Sequence, residues 1–515
     1  MELGILNILI GIKISTPKKI NIKFMCGIAG VLGKKNIPSF LIKDTLKLMK
    51  SRGPNFQNYK SFLSDKSQNH MLHSRLSIID LHPRSNQPMT KGHLTLIYNG
   101  EIYNYLELKK KLIKKKNYIF STNSDSEIIL NYFLEYGENC VNFFEGMWSF
   151  SIWDSKKKKL FLSRDRFGEK PLYYYKAKNC FYYGSEIKYI RSLAKKSFSI
   201  NDEKIKKFLS IGYKSLFGTG DSFFKEINEL KPGFNLTIDK NFKYTKKRYW
   251  VPKVKTNKKL TLKDSIKGTK YYLRKSLKLR LRSDVPIAFC LSGGIDSSLL
   301  ASLSAKKFKK KIATYSIIDK DKRYNELENI SVITNDLKCK NKKIYIDKKV
   351  FEKKIKKLVN YHECPISTIS YYLHSFLLDK MSKDGFKVSI SGTGADELFT
   401  GYFHHFFLQI NSLKSKSARI KKIKEFKKYI LPHYRNSPSN FDDYIDKNSF
   451  LKKNNFEDNQ NINQFLKFKK IKKIKTKYSG DILKNKMLNE LLNEVVPVIL
   501  HHDDLNSMAN SIENR

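Results

Sequence analysis

The sequence predicts an α+β domain of packed antiparallel sheets, followed by an α/β domain with a parallel sheet and a helical C-terminal part. Three observations predict this fold. The chain has 515 residues, about three times a typical domain. Short β-rich runs alternate with turns over residues 26–190, whereas strands alternate with helices over residues 260–390. The composition, with 40% hydrophobic and 29% charged residues, provides apolar material for two cores and excludes wholesale disorder.

The first domain is predicted from a series of short apolar runs. Many short strands separated by turns are typical of packed antiparallel sheets. The predicted strands are residues 28–32, 72–79, 94–98, 148–153, 159–163, 172–175 and 180–185. Two further segments, residues 42–50 and 126–136, predict helices, and the second of them follows the capping residue Asp125 and ends at Gly137.

A change of pattern marks the second domain. The turn-rich stretch from Lys231-Pro232-Gly233 to Pro252 predicts a connector. The predicted elements beyond it are helix 260–281, strand 285–291, helix 297–304, strand 312–318, strand 388–390 and a Lys-rich helical part from residue 403. Strands that alternate with helices imply a parallel sheet with right-handed crossovers.

These patterns predict four segments along the chain. Residues 1–25 form an extension that is not expected in the mature protein, residues 26–235 the first domain, residues 236–255 a linker and residues 256–515 the second domain. The extension has no basic residue ahead of its apolar stretch and no small-residue cleavage site, which argues against a signal peptide. No apolar run reaches the ~18 residues needed to span a bilayer, so we expect a soluble protein.

The balance of charges is strongly positive. Lys and Arg number 100 and Asp and Glu 48, which leaves a net charge of +52. Such an excess raises the question of a nucleic-acid or membrane partner. The lysines are scattered rather than gathered in one stripe, which favours solvated faces. We therefore expect small-molecule substrates, no nucleic acid and no membrane, and a homodimer stays open.

The cysteines indicate the compartment. They show no CxxC pair and no regular spacing, which argues against a zinc site and against a disulfide framework. We therefore expect the reducing cytoplasm. The six are Cys26, Cys140, Cys180, Cys290, Cys339 and Cys364.

Cys26 directly follows a second methionine, Met25. If translation starts at Met25, removal of that methionine places the thiol on the N-terminal residue. The α-amino group of Cys26, with an ordinary pKa near ~8, can then take the thiol proton. A lone cysteine is more often a small buried hydrophobe, so the neighbouring motifs must decide between the two interpretations.

Five motifs occur in a fixed order along the first domain. They are Met25-Cys26-Gly27-Ile28-Ala29-Gly30, Arg52-Gly53-Pro54, His73-Ser74-Arg75-Leu76-Ser77-Ile78-Ile79-Asp80, Asn99-Gly100-Glu101-Ile102-Tyr103-Asn104 and Ser124-Asp125-Ser126-Glu127. Together they resemble the glutamine-hydrolysing domain of the N-terminal-nucleophile amidotransferases. The resemblance implies a four-layer sandwich built on two antiparallel sheets.

The resemblance also implies how glutamine would be bound and hydrolysed. Attack on the amide creates an oxyanion, for which the Asn99 side chain and the Gly100 N–H group are the implied donors. Arg75 would bind the α-carboxylate of glutamine, and Asp125 with Glu101 its α-ammonium. The implied glutamine-binding residues also include Arg52, which would support the site, and Leu76, Ser77, Ile78 and Ile79. Taken alone, Asn99-Gly100 predicts a hairpin turn, and Arg75 and Asp125 are ordinary surface charges.

A glycine- and serine-rich loop opens the second domain. Strand 285–291 leads into Ser292-Gly293-Gly294-Ile295-Asp296-Ser297-Ser298 and then a helix. Converging N–H groups and hydroxyls at a helix N-terminus suit an anion, so the loop predicts a pyrophosphate cradle. It resembles the pyrophosphate loop of ATP pyrophosphatases, which cleave ATP between the α and β phosphates. A structural turn with a capping serine is the alternative.

A second loop, Ser391-Gly392-Thr393-Gly394-Ala395-Asp396, follows strand 388–390. Loops at the carboxyl ends of parallel strands face one crevice, where ligands usually bind. Asp296 and Asp396 are therefore candidates to hold Mg²⁺ against the phosphates of ATP. The implied ATP-binding residues are Leu291, Ser292, Gly293, Gly294, Asp296, Ser297, Ser298, Ile317, Ser391 and Gly392. Leu291 and Ile317 are otherwise core residues.

The two halves together resemble the glutamine-hydrolysing asparagine synthetases of the bacterial type, from Met25 to Arg515. The segments Arg164-Asp165-Arg166-Phe167-Gly168-Glu169-Lys170 and Ser185-Glu186-Ile187-Lys188 add to this resemblance. It implies that Cys26 releases ammonia from glutamine, that ATP adenylates a carboxylate, and that ammonia crosses an internal tunnel and displaces AMP. Aspartate would be the acceptor and asparagine the product.

Three departures from that family leave other functions open. Thr393 replaces an acidic residue associated with forming the adenylate, Asn55 replaces the Asp after Arg-Gly-Pro, and the family runs on beyond Arg515. One alternative is amidation of another carboxylate, such as a sugar uronate in polysaccharide assembly. The others are a glutaminase-only or inactive protein, and a nucleic-acid-binding ATP pyrophosphatase.

Overall fold

The computed structural model describes residues 26–34, 36–64, 67–254, 257, 259–433 and 476–515. The predicted extension, residues 1–25, lies outside the described residues. The part that is described forms two halves, each with its own sheets, as the sequence predicts.

The strands of the first half form two antiparallel six-stranded sheets. The strands are β1 Gly27–Gly33, β2 Phe56–Ser64, β3 Ser67–Arg75, β4 Met89–Lys91, β5 Leu94–Ile102, β6 Gly146–Asp154, β7 Lys159–Arg164, β8 Tyr173–Lys176, β9 Cys180–Gly184, β10 Asn228–Glu229, β11 Phe234–Ile238 and β12 Tyr244–Arg248. The first sheet has the order β10-β8-β9-β1-β3-β2 and the second the order β12-β11-β7-β6-β5-β4.

The two sheets pack face to face and carry helices on their outer faces. The helices are α1 Ser39–Met49, α2 Tyr105–Lys116, α3 Asp125–Tyr136, α4 Ile187–Ala194 and α5 Asp202–Ile211. Ile28 and Met71 of the first sheet pack in one core with Ile97 and Leu162 of the second. Residues of α1 and α4 share a second core with the first sheet, and α2 and α3 share a third with the other sheet. Each buried side chain of this size stabilises the fold by about 1.5–3 kcal/mol. The predicted four-layer sandwich is thus confirmed.

Several local predictions differ from the structure. Strand β3 ends at Arg75, so residues 76–79 of the predicted strand 72–79 lie outside it. Strands β11 and β12 lie inside the predicted connector, because the buried side chains of Leu236 and Ile238 add a hairpin to β7. The Pro232-Gly233 turn signal before them hid this short apolar alternation. Helix α3 is capped by Ser124, whose Oγ accepts a hydrogen bond from the N–H of Ser126 at 3.2 Å, and not by Asp125.

The second half is built on one parallel sheet. Its strands are β13 Ile287–Cys290, β14 Ala313–Ile318, β15 Lys340–Tyr345, β16 Val388–Ile390 and β17 Glu513–Asn514, in the order β15-β14-β13-β16-β17. Every neighbouring pair is parallel, as predicted. The helices are α6 Leu262–Arg280, α7 Ile295–Ser302, α8 Leu327–Asp336, α9 Phe351–His362, α10 Ile369–Lys383, α11 Ala395–Phe399, α12 Phe403–Ser412, α13 Lys416–Tyr429, α14 Ile482–Asn489 and α15 Val496–Asn510.

The C-terminal end of the described chain returns to the sheet. Helix α15 ends at Asn510, the next residue Ser511 adopts a left-handed conformation with φ +61°, and β17 then pairs with β16. The sequence predicts only helix here, because a two-residue polar strand has no periodicity. Across the described ranges, we find no helix long and apolar enough to span a lipid bilayer.

Candidate active site

A pocket forms around Cys26 because two strands of the first sheet are antiparallel. Gly27 at the start of β1 pairs with Ser74 near the end of β3, which brings Cys26 beside Arg75. Residues from both halves of the chain line the pocket. They are Cys26, Arg75, Leu76, Ile78, Ile79, Ser85, Gln87, Tyr98, Gly100, Glu101, Ser124, Asp125, Ser126 and Glu513.

The Cys26 thiol is held by the residue that follows β3. The N–H group of Leu76 donates a hydrogen bond to Sγ at 3.1 Å. Burial raises the pKa of the Cys26 thiol to about 11, although the Leu76 bond and the charges of Arg75 and Lys170 act in the opposite direction. The thiol is therefore protonated near neutral pH, and nucleophilic attack requires a base.

Two charged side chains of opposite sign lie in this pocket. The Arg75 guanidinium donates to Asn86 Oδ1 at 2.8 Å, so the loop after β3 fixes its position. Asp125 Oδ2 accepts hydrogen bonds from the Tyr98 hydroxyl and the Ile102 N–H group, both at 2.9 Å. Burial raises the pKa of the Asp125 carboxyl to about 6. The pocket thus offers a cation and an anion, which the two ends of a free amino acid require.

Asn99 and Gly100 lie inside strand β5, so the hairpin interpretation of this dipeptide is wrong. Gly100 has φ +143°, and a Cβ there would lie 2.1 Å from the carbonyl oxygen of Met147, so glycine is required. Asn99 is buried, and its Nδ2 lies 3.4 Å from Ser185 Oγ. Gly100 lines the pocket. The role of the two residues as oxyanion donors stays a prediction.

Arg52 acts as a buried brace between the two halves. Its Nε donates to the carbonyl oxygen of Cys26 at 3.0 Å, and its terminal nitrogens bind Glu186 at 2.8 Å and Asp504 of α15 at 2.7 Å. Burial alone would lower the pKa of Arg52, but Asp504 and Glu186 hold it well above its ordinary value. Lys170 lies 3.4 Å from the other oxygen of Asp504. A carboxylate of the second half therefore supports the backbone of Cys26.

The other residues that the sequence predicts to bind glutamine do not all line the pocket. Leu76, Ile78 and Ile79 line the pocket, as Glu101 does, and the Glu101 carboxylate pairs with Arg515. Ser77 instead donates its N–H to Asn55 Oδ1 at 3.0 Å, a bond that an amide oxygen accepts as readily as a carboxylate. Sequence reasoning missed the lining residues Ser85, Gln87, Tyr98, Ser124, Ser126 and Glu513 as pocket residues, because no motif assigns them a role.

The first loop of the second half connects β13 to the N-terminus of α7. Gly293 has φ +83°, which allows the tight turn before the helix. Ser297 Oγ lies 3.1 Å from Ser292 Oγ and 3.2 Å from the Ser292 N–H, so the loop closes on itself. Ser298 Oγ is buried and has no hydrogen-bond partner among the described residues. Backbone N–H groups at the N-terminus of α7 are the groups of this loop that suit a phosphate.

The second loop packs directly against the first. A Cβ on Gly392 would lie 3.0 Å from the backbone nitrogen of Ser297 and 3.1 Å from Cβ of Asp296. Burial, and next the charge of Asp296, raise the pKa of Asp396. Two neighbouring carboxylates are the oxygen donors that Mg²⁺ prefers, so Asp296 and Asp396 fit the predicted metal. Thr393 is exposed, and its Oγ1 lies 3.0 Å from Ser391 Oγ.

Of the two apolar residues in the predicted ATP set, Leu291 is buried in the core and Ile317 is half-buried. Leu291 packs with Ile318 and Ile330, and Ile317 packs against another cluster of the sheet. Sequence reasoning missed a polar chain beside the first loop. In it Cys290 Sγ lies 3.7 Å from Nε2 of His374, whose Nδ1 lies 3.3 Å from Asp503. No sequence signal links these three residues, which come from β13, α10 and α15.

Two protein families match the chain. Residues 25–250 match the glutamine amidotransferase domain, and residues 269–515 match asparagine synthase. These matches define the class, a glutamine amidotransferase domain joined to an asparagine-synthase domain.

Curated relatives that match most of the chain identify one family within this class. A protein of Methanocaldococcus jannaschii, named provisionally as glutamine-hydrolyzing asparagine synthetase 2, is 33% identical over 74% of this chain and 76% of its own length. Glutamine-hydrolyzing asparagine synthetase 3 of Bacillus subtilis is 31% identical over 80% of this chain and 70% of its own length. The chain therefore belongs to the glutamine-hydrolyzing asparagine synthetase family. It spans only 59% and 52% of two other Bacillus subtilis relatives.

A solved structure also matches. It is the glutamine phosphoribosylpyrophosphate amidotransferase from B. subtilis complexed with ADP and GMP, 13% identical over 62% of this chain and 81% of that one. The TM-score of 0.32 is too low to support a functional argument.

Proposed function

We propose that this chain is a glutamine-dependent asparagine synthetase. It would convert ATP, L-aspartate, L-glutamine and water into L-asparagine, L-glutamate, AMP and diphosphate. One observation carries the proposal: a half-buried thiol shares a pocket with a fixed cation and a fixed anion, in a chain that also holds two packed glycine-rich loops. The family relationship supports it.

The first half would hydrolyse glutamine. Arg75 binds its α-carboxylate and Asp125 its α-ammonium, which places the side-chain amide at Cys26. The free α-amine of Cys26 takes the thiol proton as Sγ attacks the amide carbon, and a tetrahedral oxyanion forms. The amine then returns the proton to the departing nitrogen, so that ammonia leaves and a thioester remains. Gly100 and Asn99 stabilise the oxyanion. Water then hydrolyses the thioester and releases glutamate.

The second half would activate the acceptor. The β and γ phosphates of ATP lie against the loop Ser292–Ser298 and the second loop, and the acceptor carboxylate attacks the α-phosphorus. Diphosphate leaves and an acyl-adenylate forms. Mg²⁺ held by Asp296 and Asp396 would neutralise charge on the phosphates. Ammonia then attacks the acyl carbon and displaces AMP.

A route for ammonia is supported by contacts between the halves. A small cavity is lined by Lys170, Asp503, Asp504 and Asn514, among others. Asn514 adjoins Glu513, which lines the Cys26 pocket, and Asp503 contacts His374 beside the first loop. Ammonia that leaves Cys26 would therefore meet this cavity on its way to the adenylate.

Thr393 supports a second candidate acceptor. Its hydroxyl stands in the second loop where synthetases usually carry an acidic residue, and a neutral hydroxyl cannot replace a carboxylate charge. Another carboxylate, such as a sugar uronate, would then be amidated by the same two half-reactions.

The test uses the protein that begins at Cys26. Glutamate release from glutamine and AMP release from ATP are measured with aspartate, with a panel of uronates and with no acceptor. Aspartate-dependent AMP and asparagine support the synthetase, uronate-dependent AMP supports the second candidate, and glutamate release without AMP indicates a glutaminase-only protein.

A matched pair of variants assigns the chemistry. Cys26→Ala should abolish glutamate release but retain synthesis from added ammonia, whereas Cys339→Ser, in the second half, should change neither. The proposal fails if Cys26→Ala still hydrolyses glutamine at the unmodified rate.

A further inference from the structure

A cluster of buried histidine and cysteine side chains lies where the two halves meet. His362 ends α9, Cys364 follows two residues later, and His502 lies in α15. One nitrogen of each imidazole and the Cys364 Sγ lie within 4.8 Å of one another. All three residues are buried. We propose that His362, Cys364 and His502 form a structural zinc site.

The distances fit a tetrahedral ion. Zn–N bonds of about 2.0 Å and Zn–S bonds of about 2.3 Å place tetrahedral nitrogens about 3.3 Å apart. His362 Nδ1 and His502 Nδ1 are 3.1 Å apart. Two imidazoles and one thiolate are a ligand set that suits zinc, and they leave one position for a further ligand.

The groups behind the ligands orient them. Asn506 Nδ2 donates to the carbonyl oxygen of Tyr371 at 2.8 Å, so its Oδ1 accepts from His362 Nε2–H at 3.0 Å. That bond leaves a lone pair on His362 Nδ1, directed at His502. If His502 Nε2–H donates to Ser367 Oγ, at 2.5 Å, both Nδ1 lone pairs converge. Partners of this kind are the usual support of metal-binding histidines.

The sulfur has its own support. His501 Nε2 lies 3.8 Å from Cys364 Sγ, and His501 Nδ1 lies 3.3 Å from the Tyr173 hydroxyl. If Tyr173 donates to Nδ1, the Nε2–H group of His501 faces the sulfur and stabilises a thiolate. The ring of His501 also stacks on Phe217, with centroids 3.5 Å apart. Tyr173 and Phe217 belong to the first half, so both halves build the site.

The two imidazoles and the thiol of the cluster differ in protonation, because burial raises the pKa of the Cys364 thiol above its ordinary value. Burial lowers the pKa of His362 to about 3 and also lowers the pKa of His502, so both rings are neutral and have a free lone pair. Without a metal, His502 Nδ1–H would donate to His362 Nδ1, and Ser367 would donate to Nε2. Zinc binding requires a change of tautomer at His502 and loss of the Cys364 proton.

A second cluster in the same half is less suited to zinc. His404 and His405 each lie 2.7 Å from one oxygen of Glu490. Lys486 Nζ lies 3.5 Å from that carboxylate, and its positive charge would repel a divalent cation. The Glu490 carboxylate is already paired with His404, His405 and Lys486.

The site would fix α15 against the segment that follows α9. His502 is two residues from Asp504, which binds Arg52, and Arg52 in turn binds the carbonyl oxygen of Cys26. Zinc would therefore stabilise the contact between the two halves that positions the backbone of Cys26. The absence of CxxC spacing does not exclude this zinc site, because the fold brings together ligands from positions 138 residues apart in the chain (502 − 364).

The first experiment measures metal in the intact chain without glutamine or ATP. The purified protein is equilibrated with zinc, dialysed against a weak chelator and analysed by plasma mass spectrometry. We expect about one zinc per chain. Less than about a tenth of an equivalent after equilibration would show a metal-free hydrogen-bonded cluster and overturn the proposal.

Variants locate the ion. Cys364→Ser and His502→Asn should lose the zinc, whereas Cys339→Ser, a thiol near Thr314 in the same half, should keep it. With Co²⁺ in place of zinc, the unmodified chain should show thiolate-to-cobalt charge-transfer absorption. Cys364→Asp should keep the metal but lose that absorption. Because a misfolded variant would lose the metal as well, this result separates loss of the thiolate from misfolding. Loss of zinc in His405→Asn, with retention in Cys364→Ser, would move the site to the second cluster and overturn the proposal.

Discussion

The Cys26 thiol has a pKa of about 11 in its pocket, so it is almost entirely protonated at neutral pH. The α-amine of the same residue is the proposed base, and it exists only when the preceding residues are removed. We predict that protein beginning at Cys26 hydrolyses glutamine at least ~100-fold faster than protein that keeps residues 1–25. Ammonia release, with N-terminal sequencing of both preparations, measures the difference. Equal rates would mean that another group takes the proton.

Asp125 gives the pocket a predicted pH dependence. Its pKa is raised to about 6, so the carboxyl loses its negative charge as the pH falls through that value. The α-ammonium of glutamine then loses its partner, and kcat/KM for glutamine should fall below about pH 6. Asp125→Asn should raise KM about tenfold or more and remove that limb of the profile, because a charged hydrogen bond becomes a neutral one.

The control for this prediction is Asp44→Asn. Asp44 lies on the exposed face of α1 and pairs only weakly with Lys47, so the variant should keep the pH profile of the unmodified chain. A profile that is unchanged in Asp125→Asn would show that Asp125 does not bind the ammonium.

The two loops at the ends of β13 and β16 act as one element. Gly392 has no room for a Cβ, which would lie 3.0 Å from the Ser297 nitrogen at the start of α7. Gly392→Ala should therefore push the loops apart and raise KM for ATP about tenfold or more, since small displacements of binding groups are costly. Glutamine hydrolysis without ATP should stay unchanged, because Gly392 is outside the Cys26 pocket.

Gly268→Ala is the matched substitution. Gly268 lies in α6 and nothing lies within 4 Å of a Cβ built there. The new methyl group should leave KM for ATP unchanged and stabilise the helix by about 0.5–1 kcal/mol. Thermal unfolding and AMP release measure both effects. A similar rise of KM in both variants would contradict the close contact between the two loops.

At the scale of the whole molecule, the two halves share buried charges. Asp504 of α15 binds Arg52 at 2.7 Å, and the side chains of both residues are almost completely buried. Asp504→Asn removes one partner of a buried pair, which costs about 3 kcal/mol in the free energy of unfolding. Because Arg52 holds the carbonyl oxygen of Cys26, we expect glutaminase kcat to fall about tenfold although Asp504 is in the other half.

The exposed pair of Asp336 and Lys306 provides the comparison. Asp336→Asn should change the free energy of unfolding by less than about 1 kcal/mol and leave glutaminase kcat unchanged. If Asp504→Asn destabilises the protein without lowering glutaminase kcat, the ion pair of Asp504 with Arg52 stabilises the fold but does not link the second half to glutamine hydrolysis.

Motifs of adjacent residues were enough to predict the fold class and the position of both candidate sites. The loop Ser292–Ser298 follows a strand and begins a helix, as its glycine and serine pattern predicts. Cys26 and Arg75 meet because the buried strands β1 and β3 pair antiparallel, with Gly27 opposite Ser74. The strands β11 and β12 were not predicted, since the apolar alternation of β11 is short, follows a Pro-Gly turn and is not continued in the polar strand β12.

The local pattern of apolar residues, glycines and serines therefore determines the two antiparallel sheets, the parallel sheet and the loops at the ends of their strands. These features can be predicted because each depends on residues only a few positions apart in the sequence. The brace of Arg52 with Asp504 and the cluster of His362, Cys364 and His502 depend on side chains far apart along the chain. Nothing in their local sequence indicates a partner, because burial and packing of the folded halves alone bring them within hydrogen-bonding or metal-binding distance.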